Sequence, residues 1–155
     1  MKVDYSRLKR KNKNANWLGP ISFNDGNTVK DIMVEIQPGN CAGIPDAAKE
    51  TLEFFFDNYT KYKEVLAEPI LEYYYECKNS WGPDDPDDPM FPEVKDAEEL
   101  TKMYSINSIL IHNPERNEKN TLGLLYDCTW EEEEGMGIKM VGFNIVNIGI
   151  QGSEY

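Results

Sequence analysis

Hydrophobic and polar side chains alternate along residues 29–36. Positions 32, 34 and 36 are aliphatic, whereas the alternate positions carry Asp31, Met33 and Glu35. A period of two with one mostly polar side predicts a half-buried β-strand. The sequence WLGPISF, which begins at Trp17, predicts a second strand that its proline confines to a sheet edge or a bulge. The residues NDGN at 24–27 predict a tight hairpin turn between the two strands.

A second period, of three to four residues, follows Pro45. The apolar and aromatic residues that share this spacing are Leu52, Phe55, Tyr59, Tyr62, Leu66, Ile70, Tyr73 and Cys77. Such a spacing places them on one face of a helix. Pro69 interrupts the pattern, since proline lacks the backbone N–H and clashes with the preceding turn. The sequence therefore predicts one kinked helix or two helices, at 46–67 and 69–79, whose aromatic face covers a sheet.

The C-terminal half is rich in β-forming residues. A short helix is predicted over 94–103, and strands follow in SINSILIHN (105–113), TLGLLYDCT (121–129) and GIKMVGFNIVNIG (137–149). Consecutive strands joined by short polar turns predict an antiparallel meander. Strands, a long helical region and more strands together predict an α+β fold. We expect a single domain with a mainly antiparallel sheet, an N-terminal hairpin, a C-terminal meander and helices on one face.

The composition of the chain argues against two classes of binding partner, nucleic acids and membranes. The chain has 155 residues, of which 40% are hydrophobic, and a net charge of -12. This length fits one domain with a sizeable core. The negative charge opposes binding to nucleic acid and to anionic membrane surfaces. Because no apolar run approaches the ~18 residues that a bilayer span needs, we expect no membrane association.

The charge is unevenly distributed. Residues 1–15 carry six basic residues and one acidic residue, whereas the remaining chain carries 10 basic and 27 acidic residues. A basic arm on an acidic body either folds back along it or extends into solvent, and the abundance of Asn and Lys favours the second. The expected organisation is a flexible arm at 1–15 and one α+β domain at 16–155.

The cysteine and histidine residues give no indication of disulfide bonds, a zinc site or catalysis. Cys41, Cys77 and Cys128 are widely spaced and odd in number, which indicates reduced thiols and a cytoplasmic protein. The single histidine, His112, is interpreted as a packing residue, and the four soft ligands of a structural zinc site are lacking. No nucleotide-binding fingerprint occurs. We therefore assign no catalytic residue, no metal site and no cofactor.

Residues 81–93, WGPDDPDDPMFPE, are predicted to form a loop because four prolines exclude a helix or a central strand. The aspartates of this loop are Asp84, Asp85, Asp87 and Asp88. Prolines occupy the intervening positions, which does not match the alternating ligands of a helix-loop-helix calcium site. The open alternatives are a solvated rigid loop, a divalent-cation site and a docking surface for a basic partner. In the last case Trp81, Phe91 and Tyr104 are expected to act as apolar anchors.

The most distinctive segment is CTWEEEEGMG at 128–137. Its notable residues are Cys128, Trp130, Glu131, Glu133, Glu134, Gly135 and Gly137. The simplest interpretation is a charged hairpin tip that turns at the glycines and protects the strand edges. A second interpretation uses Glu131 with Glu133, or with Asp127, as an acid–base pair, since strand residues two apart share a face. A divalent cation held by the glutamates is a third.

This segment resembles a motif of an uncharacterised bacterial family of small cytosolic proteins. The family pattern is a strand ending in Cys-Thr-Trp, then Asp/Glu-x-Glu-His-Gly-x-Gly and a strand that closes on a Val-x-x-Gly-like turn. The likeness covers residues 95–150 and includes Val146-Asn147-Ile148-Gly149. It implies a toxin-immunity role, because some members lie beside toxin–immunity loci. Glu134 stands where the family has His, and loss of that imidazole weakens a catalytic interpretation.

The expected function is therefore a non-enzymatic, acidic protein-binding module. An immunity- or antitoxin-like inhibitor that binds a basic, toxin-like protein is its most concrete form, since an acidic body attracts a basic partner and accelerates their encounter. The residues expected to contact this partner are Trp81, Asp84, Asp85, Asp87, Asp88 and Phe91. The alternatives are a divalent-cation-binding protein and a carboxylate-dependent hydrolase that uses Glu131 and Glu133.

Overall fold

A computed structural model describes residues 2–26, 28–81 and 89–155. Within them the strands are β1 (Trp17–Asn24), β2 (Val29–Ile36), β3 (Tyr104–Ile111), β4 (Thr121–Cys128), β5 (Glu131–Val141) and β6 (Asn144–Gly149). The helices are α1 (Asp46–Asp57), α2 (Tyr59–Trp81) and α3 (Ala97–Leu100), with short 3-10 turns at Tyr5–Arg7 and Thr101–Met103. None of the helices in these ranges has both the length and the apolar surface to cross a membrane.

The strands form one six-stranded sheet whose spatial order follows the chain. Every neighbouring pair is antiparallel except β2 and β3, which run parallel. A parallel pair requires a long crossover, and α1, α2 and α3 supply it. The architecture confirms the predicted α+β domain with an N-terminal hairpin, a C-terminal meander and a mainly antiparallel sheet.

Helices α1 and α2 cover one face of this sheet through aromatic contacts. The ring of Phe23, on β1, lies 4.8 Å from Tyr59 and 5.5 Å from Phe56 between ring centroids. Phe143, in the turn between β5 and β6, packs against the same helical layer, with its ring centroid 4.8 Å from that of Tyr62. Phe55 and Tyr62 are completely buried. The predicted packing of a helical aromatic face against a sheet is therefore confirmed, and each buried ring contributes about 1.5–3 kcal/mol by leaving water.

The boundary between the two long helices lies at Asn58, so the predicted division into helices at 46–67 and 69–79 is wrong. The backbone of Asn58 departs from helical geometry, with φ -113° and ψ 19°, and its side-chain amide donates to the carbonyl of Phe54 at 2.9 Å. Pro69 lies inside α2. Burial of Leu66 and Ile70 on either side of the proline holds α2 on the sheet despite the missing backbone hydrogen bond.

The basic N-terminal segment packs onto the edge of the sheet, whereas composition favoured a solvated arm. Lys9 and Leu18 exchange two backbone hydrogen bonds, of 3.0 and 2.8 Å, which add a bridge beside β1. Leu8 is 2% exposed and belongs to the core. The Arg7 guanidinium donates to both carboxylate oxygens of Asp31. This segment therefore covers part of an edge that would otherwise offer unpaired backbone groups.

The C-terminal residues cover part of the second sheet face. A side chain at Gly123 would overlap the carbonyl oxygen of Glu154, so glycine permits the close approach. That carbonyl accepts a 2.9 Å hydrogen bond from Nε2 of His112. Burial lowers the pKa of His112, which favours the neutral ring, and the carbonyl requires its proton to be on Nε2. The histidine thus has a packing role, as the sequence indicated.

Replacement of Leu8 tests whether the N-terminal segment belongs to the folded core. Leu8→Ala is expected to lower the free energy of unfolding by about 2–5 kcal/mol, because a buried aliphatic side chain is removed. Urea denaturation measures the change. The matched variant Lys11→Ala, at an exposed position of the same segment, is expected to stay within about 0.5 kcal/mol of the wild type. Equal stabilities for the two variants would show that the segment is solvated.

Candidate functional site

Trp130 lies in the tight turn between β4 and β5 and is 1% exposed. Its ring centroid is 5.1 Å from Tyr74 on α2 and 6.4 Å from Tyr104 on β3, both in edge-on geometry. Edge-on aromatic pairs contribute about 0.5–1.5 kcal/mol beyond their burial. The indole therefore fixes the β4–β5 turn against the helical layer.

The four glutamates are the first residues of β5, so the prediction that they form a hairpin tip is wrong. The chain reverses at Thr129 and Trp130, before the first glutamate. Burial of the indole requires the turn at this point, whereas the sequence placed the turn at the glycines. Glu131 is half-buried, and Glu132, Glu133 and Glu134 are exposed.

Gly135 and Gly137 shape the strand that carries these glutamates. The pairs Tyr126–Met136 and Cys128–Glu131 leave residues 132–135 opposite a single residue of β4. Gly135 has a φ of 68°, and a side chain there would overlap the carbonyl oxygen of Tyr126. Gly137 instead accommodates the carboxylate of Glu154 against the sheet. The result is a bulge that displaces the glutamates from the regular ladder.

The two buried thiols near this turn are poor nucleophiles. Burial raises the pKa of Cys128 to about 12. Burial also raises the pKa of Cys77, and the nearby charges of Glu76 and Glu131 add to that effect. Since the thiolate is the reactive form, neither thiol is activated at neutral pH. The ring contact between Tyr74 and Trp130 places the start of β5 beside α2.

The paired carboxylates gain no support from this geometry. Oε1 of Glu131 accepts a long, 3.4 Å hydrogen bond from the backbone N–H of Glu134, while Glu133 extends into solvent. In residues 2–26, 28–81 and 89–155, no group of three or more His, Cys, Asp or Glu side chains is placed to hold a metal ion. The hydrolase and cation-binding interpretations remain hypotheses without a structural observation behind them.

A cleft of about 480 Å³ lies along α3, and acidic residues make up half of its lining. We call it the α3 cleft, and its charged lining residues are Glu93, Asp96, Glu98, Glu99 and Lys102. Asp96 caps α3 by accepting from the backbone N–H of Glu99 at 2.9 Å. The carboxylate of Glu99 accepts from the backbone N–H of Lys95 at 3.1 Å. These bonds fix two of the four carboxylates and leave Glu93 and Glu98 exposed to solvent.

The α3 cleft and the β5 glutamates form one surface. A shallow depression of about 310 Å³ joins them, and both Lys102 and Met103 line it together with Asp127 and Glu132. The backbone N–H of Thr129 donates to the carbonyl of Met103 at 3.0 Å, which holds the two segments side by side. We call the α3 cleft, the depression and the β5 glutamates the acidic end of the molecule.

The predicted anchors Trp81 and Phe91 differ in their exposure to solvent. Trp81 ends α2 with 51% of its surface exposed, whereas Phe91 is 1% exposed. Their ring centroids are 6.5 Å apart, so the buried Phe91 supports Trp81 and does not itself face a partner. Lys78 donates to the carbonyl of Phe91 and lies 3.7 Å from the carboxylate of Glu93, which links Trp81 to the α3 cleft. Asp84, Asp85, Asp87 and Asp88 lie outside the described residues.

Sequence reasoning missed a row of acidic residues on α2. The members of this row are Glu64, Glu68, Glu72 and Glu76, which are all exposed and spaced by four. Like charges at this spacing destabilise a helix by about 0.2–0.5 kcal/mol per pair. The sequence contained the signal for this row, because the four glutamates repeat with the same helical period as the aromatic residues but on the opposite face of the helix. Besides burial, Glu76, the last member of the row, raises the pKa of Cys77 together with Glu131.

One family model covers almost the whole of this arrangement. A family model matches residues 5–155, which include the N-terminal segment, the acidic end and the C-terminal tail. The chain belongs to the family described as a domain of unknown function, DUF6985. Comparisons with curated proteins and with solved structures found no match. For this DUF6985 domain, the immunity role implied by the sequence motif remains a prediction.

Thiol labelling tests whether the motif cysteine of the DUF6985 domain is sealed in the core. A disulfide reagent at pH 8 is expected to modify Cys41 rapidly, because it is exposed, and to leave Cys77 and Cys128 unmodified until the protein is unfolded. The absorbance of the released thiolate counts the reacted cysteines. The Cys41→Ser variant should then show no fast phase, and a fast phase that survives in this variant would contradict the buried placement.

Proposed function

We propose that this DUF6985 domain is a non-enzymatic protein-binding module whose acidic end binds a basic protein. The observation that carries the proposal is the continuous acidic surface formed by the α3 cleft and the β5 glutamates, with the half-exposed Trp81 nearby. A surface of this kind combines charge complementarity with an apolar anchor, as specific protein interfaces do.

The charges of the β5 glutamates support this proposal. Among the described residues, none of Glu131–Glu134 forms a salt bridge. Four adjacent carboxylates repel one another, and water only partly screens that repulsion. A basic partner would replace it with favourable pairs, whereas nothing in the fold itself requires the charges. Glu132, Glu133 and Glu134 are also exposed, so a partner can reach them.

Trp81 adds an apolar contribution beside this charge. A half-exposed tryptophan on the surface of a small protein is unfavourable in the free state and is the residue type most enriched at the energetic centres of interfaces. Phe91 packs against its ring, which reduces the side-chain entropy lost on binding. Charge complementarity would therefore guide the encounter, and Trp81 would slow dissociation.

An immunity- or antitoxin-like inhibitor is the most concrete form of this function. Proteins that act on nucleic acids carry basic surfaces that contact phosphate groups. An acidic module that covers such a surface would block access to the nucleic acid. The resemblance of the CTWEEEEGMG segment to a family found beside toxin–immunity loci supports the same partner class.

Charge reversal at the acidic end tests the proposal. The variant Glu132→Lys/Glu133→Lys is expected to lose a basic protein that the wild type captures from an extract of the native host at low salt. The control Glu50→Lys/Glu118→Lys makes the same change in net charge at exposed positions away from the acidic end, and should keep the capture.

Titration of the isolated partner then measures the dissociation constant of each variant. The reversal at the acidic end should weaken binding at least tenfold, since like charges placed opposite each other in an interface are strongly unfavourable. Higher salt concentrations should also weaken wild-type binding, because salt screens the attraction between the two proteins. Equal affinities for the two double variants, or repeated failure to capture any basic protein, would contradict the proposal.

A further inference from the structure

A small pocket on the helical face of the sheet carries three tyrosines. It has a volume of about 150 Å³ and lies between α2, β3, β4 and the β1–β2 turn. Its aromatic residues are Tyr59, Tyr104 and Tyr126, which come from three separate segments of the chain. Leu66, Ile70 and Ile106 form its apolar part. Tyr59 thus has a second role besides the sheet packing described above.

The hydroxyl groups of these tyrosines lack hydrogen-bond partners within the described parts of the chain. The deepest is Tyr126, which is 5% exposed and lines the pocket. The hydroxyl oxygens of the three tyrosines are not among the buried polar atoms that lack a partner, so solvent reaches them. A tyrosine hydroxyl in a largely apolar pocket usually finds a hydrogen-bond partner, and a ligand or water in the pocket can supply it.

These hydroxyls remain donors at any physiological pH. Burial raises the pKa of Tyr59 and of Tyr104 to about 12. Burial raises the pKa of Tyr126 well above its usual value, and the neighbouring Tyr59 and Tyr104 add to this. All three side chains line the same small pocket. A ligand that fills this space would therefore meet O–H donors.

The mouth of the pocket contains a basic residue. The ammonium group of Lys63 lies 5.6 Å from the centroid of the Tyr59 ring and lines the opening. Asp25, from the β1–β2 turn, also lines the opening and acts on Tyr59. A negatively charged group would thus be favoured on the Lys63 side and disfavoured on the Asp25 side.

We infer that this tyrosine pocket binds a small organic acid. Its apolar body would pack against Leu66, Ile70 and Ile106, and its carboxylate would accept hydrogen bonds from the tyrosine hydroxyls on the side of Lys63. Hydrogen bonds to an ionised acceptor are about twice as strong as neutral ones. The size also fits, since a cavity of about 150 Å³ accommodates a benzene ring.

Sodium benzoate is a suitable probe for this inference. Titration of the ¹⁵N-labelled full chain with millimolar benzoate should give saturable shifts of amide signals around Tyr59, Tyr104 and Tyr126. Benzyl alcohol has the same ring without the charge, and it is expected to bind about tenfold more weakly, because it lacks the charge-assisted bonds. The Lys63→Met variant should reduce the difference between the two probes.

A pair of tyrosine variants provides the matched control. Tyr126→Phe removes the hydroxyl of the deepest tyrosine of the pocket and should weaken benzoate binding about tenfold or more. Tyr62→Phe removes a buried, unpaired hydroxyl that does not line the pocket, and it should leave the affinity unchanged. Absence of saturable shifts, equal binding of both probes, or equal effects of the two variants would each overturn the inference. Because the tyrosine pocket shares no residue with those changed at the acidic end, the two proposals fail or succeed separately.

Discussion

The burial of Trp130 between α2 and β3 is the contact on which the acidic end depends. Its indole lies against Tyr74 and Tyr104, and a ring of that size stays buried only if the chain reverses beside it. The reversal sets the start of β5, and Gly135 then displaces the glutamates outward in a bulge. The same turn holds Thr129 against Met103. Burial of Trp130 thus holds together acidic segments that would otherwise repel one another.

Local periodicity was sufficient for most of the fold. The alternation in β2 and the hairpin before it depend on residues within a few positions of one another, so the sequence displays them directly. The C-terminal meander was predictable for the same reason. The parallel pairing of β2 with β3 was not, because it joins residues 75 positions apart and leaves no local signal. Pro69 shows the limit of a strong local rule, since burial of its neighbours in α2 outweighs one lost hydrogen bond.

The candidate site was predicted less well than the fold. Residue composition identified the CTWEEEEGMG segment but placed its turn at the glycines, because it gave no measure of how deeply Trp130 is buried. Phe91 was expected on the surface, yet it packs under Trp81. The tyrosine pocket left no sequence signal at all, since Tyr59, Tyr104 and Tyr126 meet only through the crossover and the meander. Sites built from distant segments require the fold before they can be recognised.

The placement of Trp130 is also directly measurable. The chain contains three tryptophans, so the double variant Trp17→Phe/Trp81→Phe leaves Trp130 as the single indole fluorophore. We expect blue-shifted emission and little quenching by acrylamide in the folded protein, with both changing to the values of free tryptophan on unfolding in urea. Red-shifted, readily quenched emission from a variant whose far-ultraviolet circular dichroism is native would contradict it, because the turn and the acidic end would then lack their anchor.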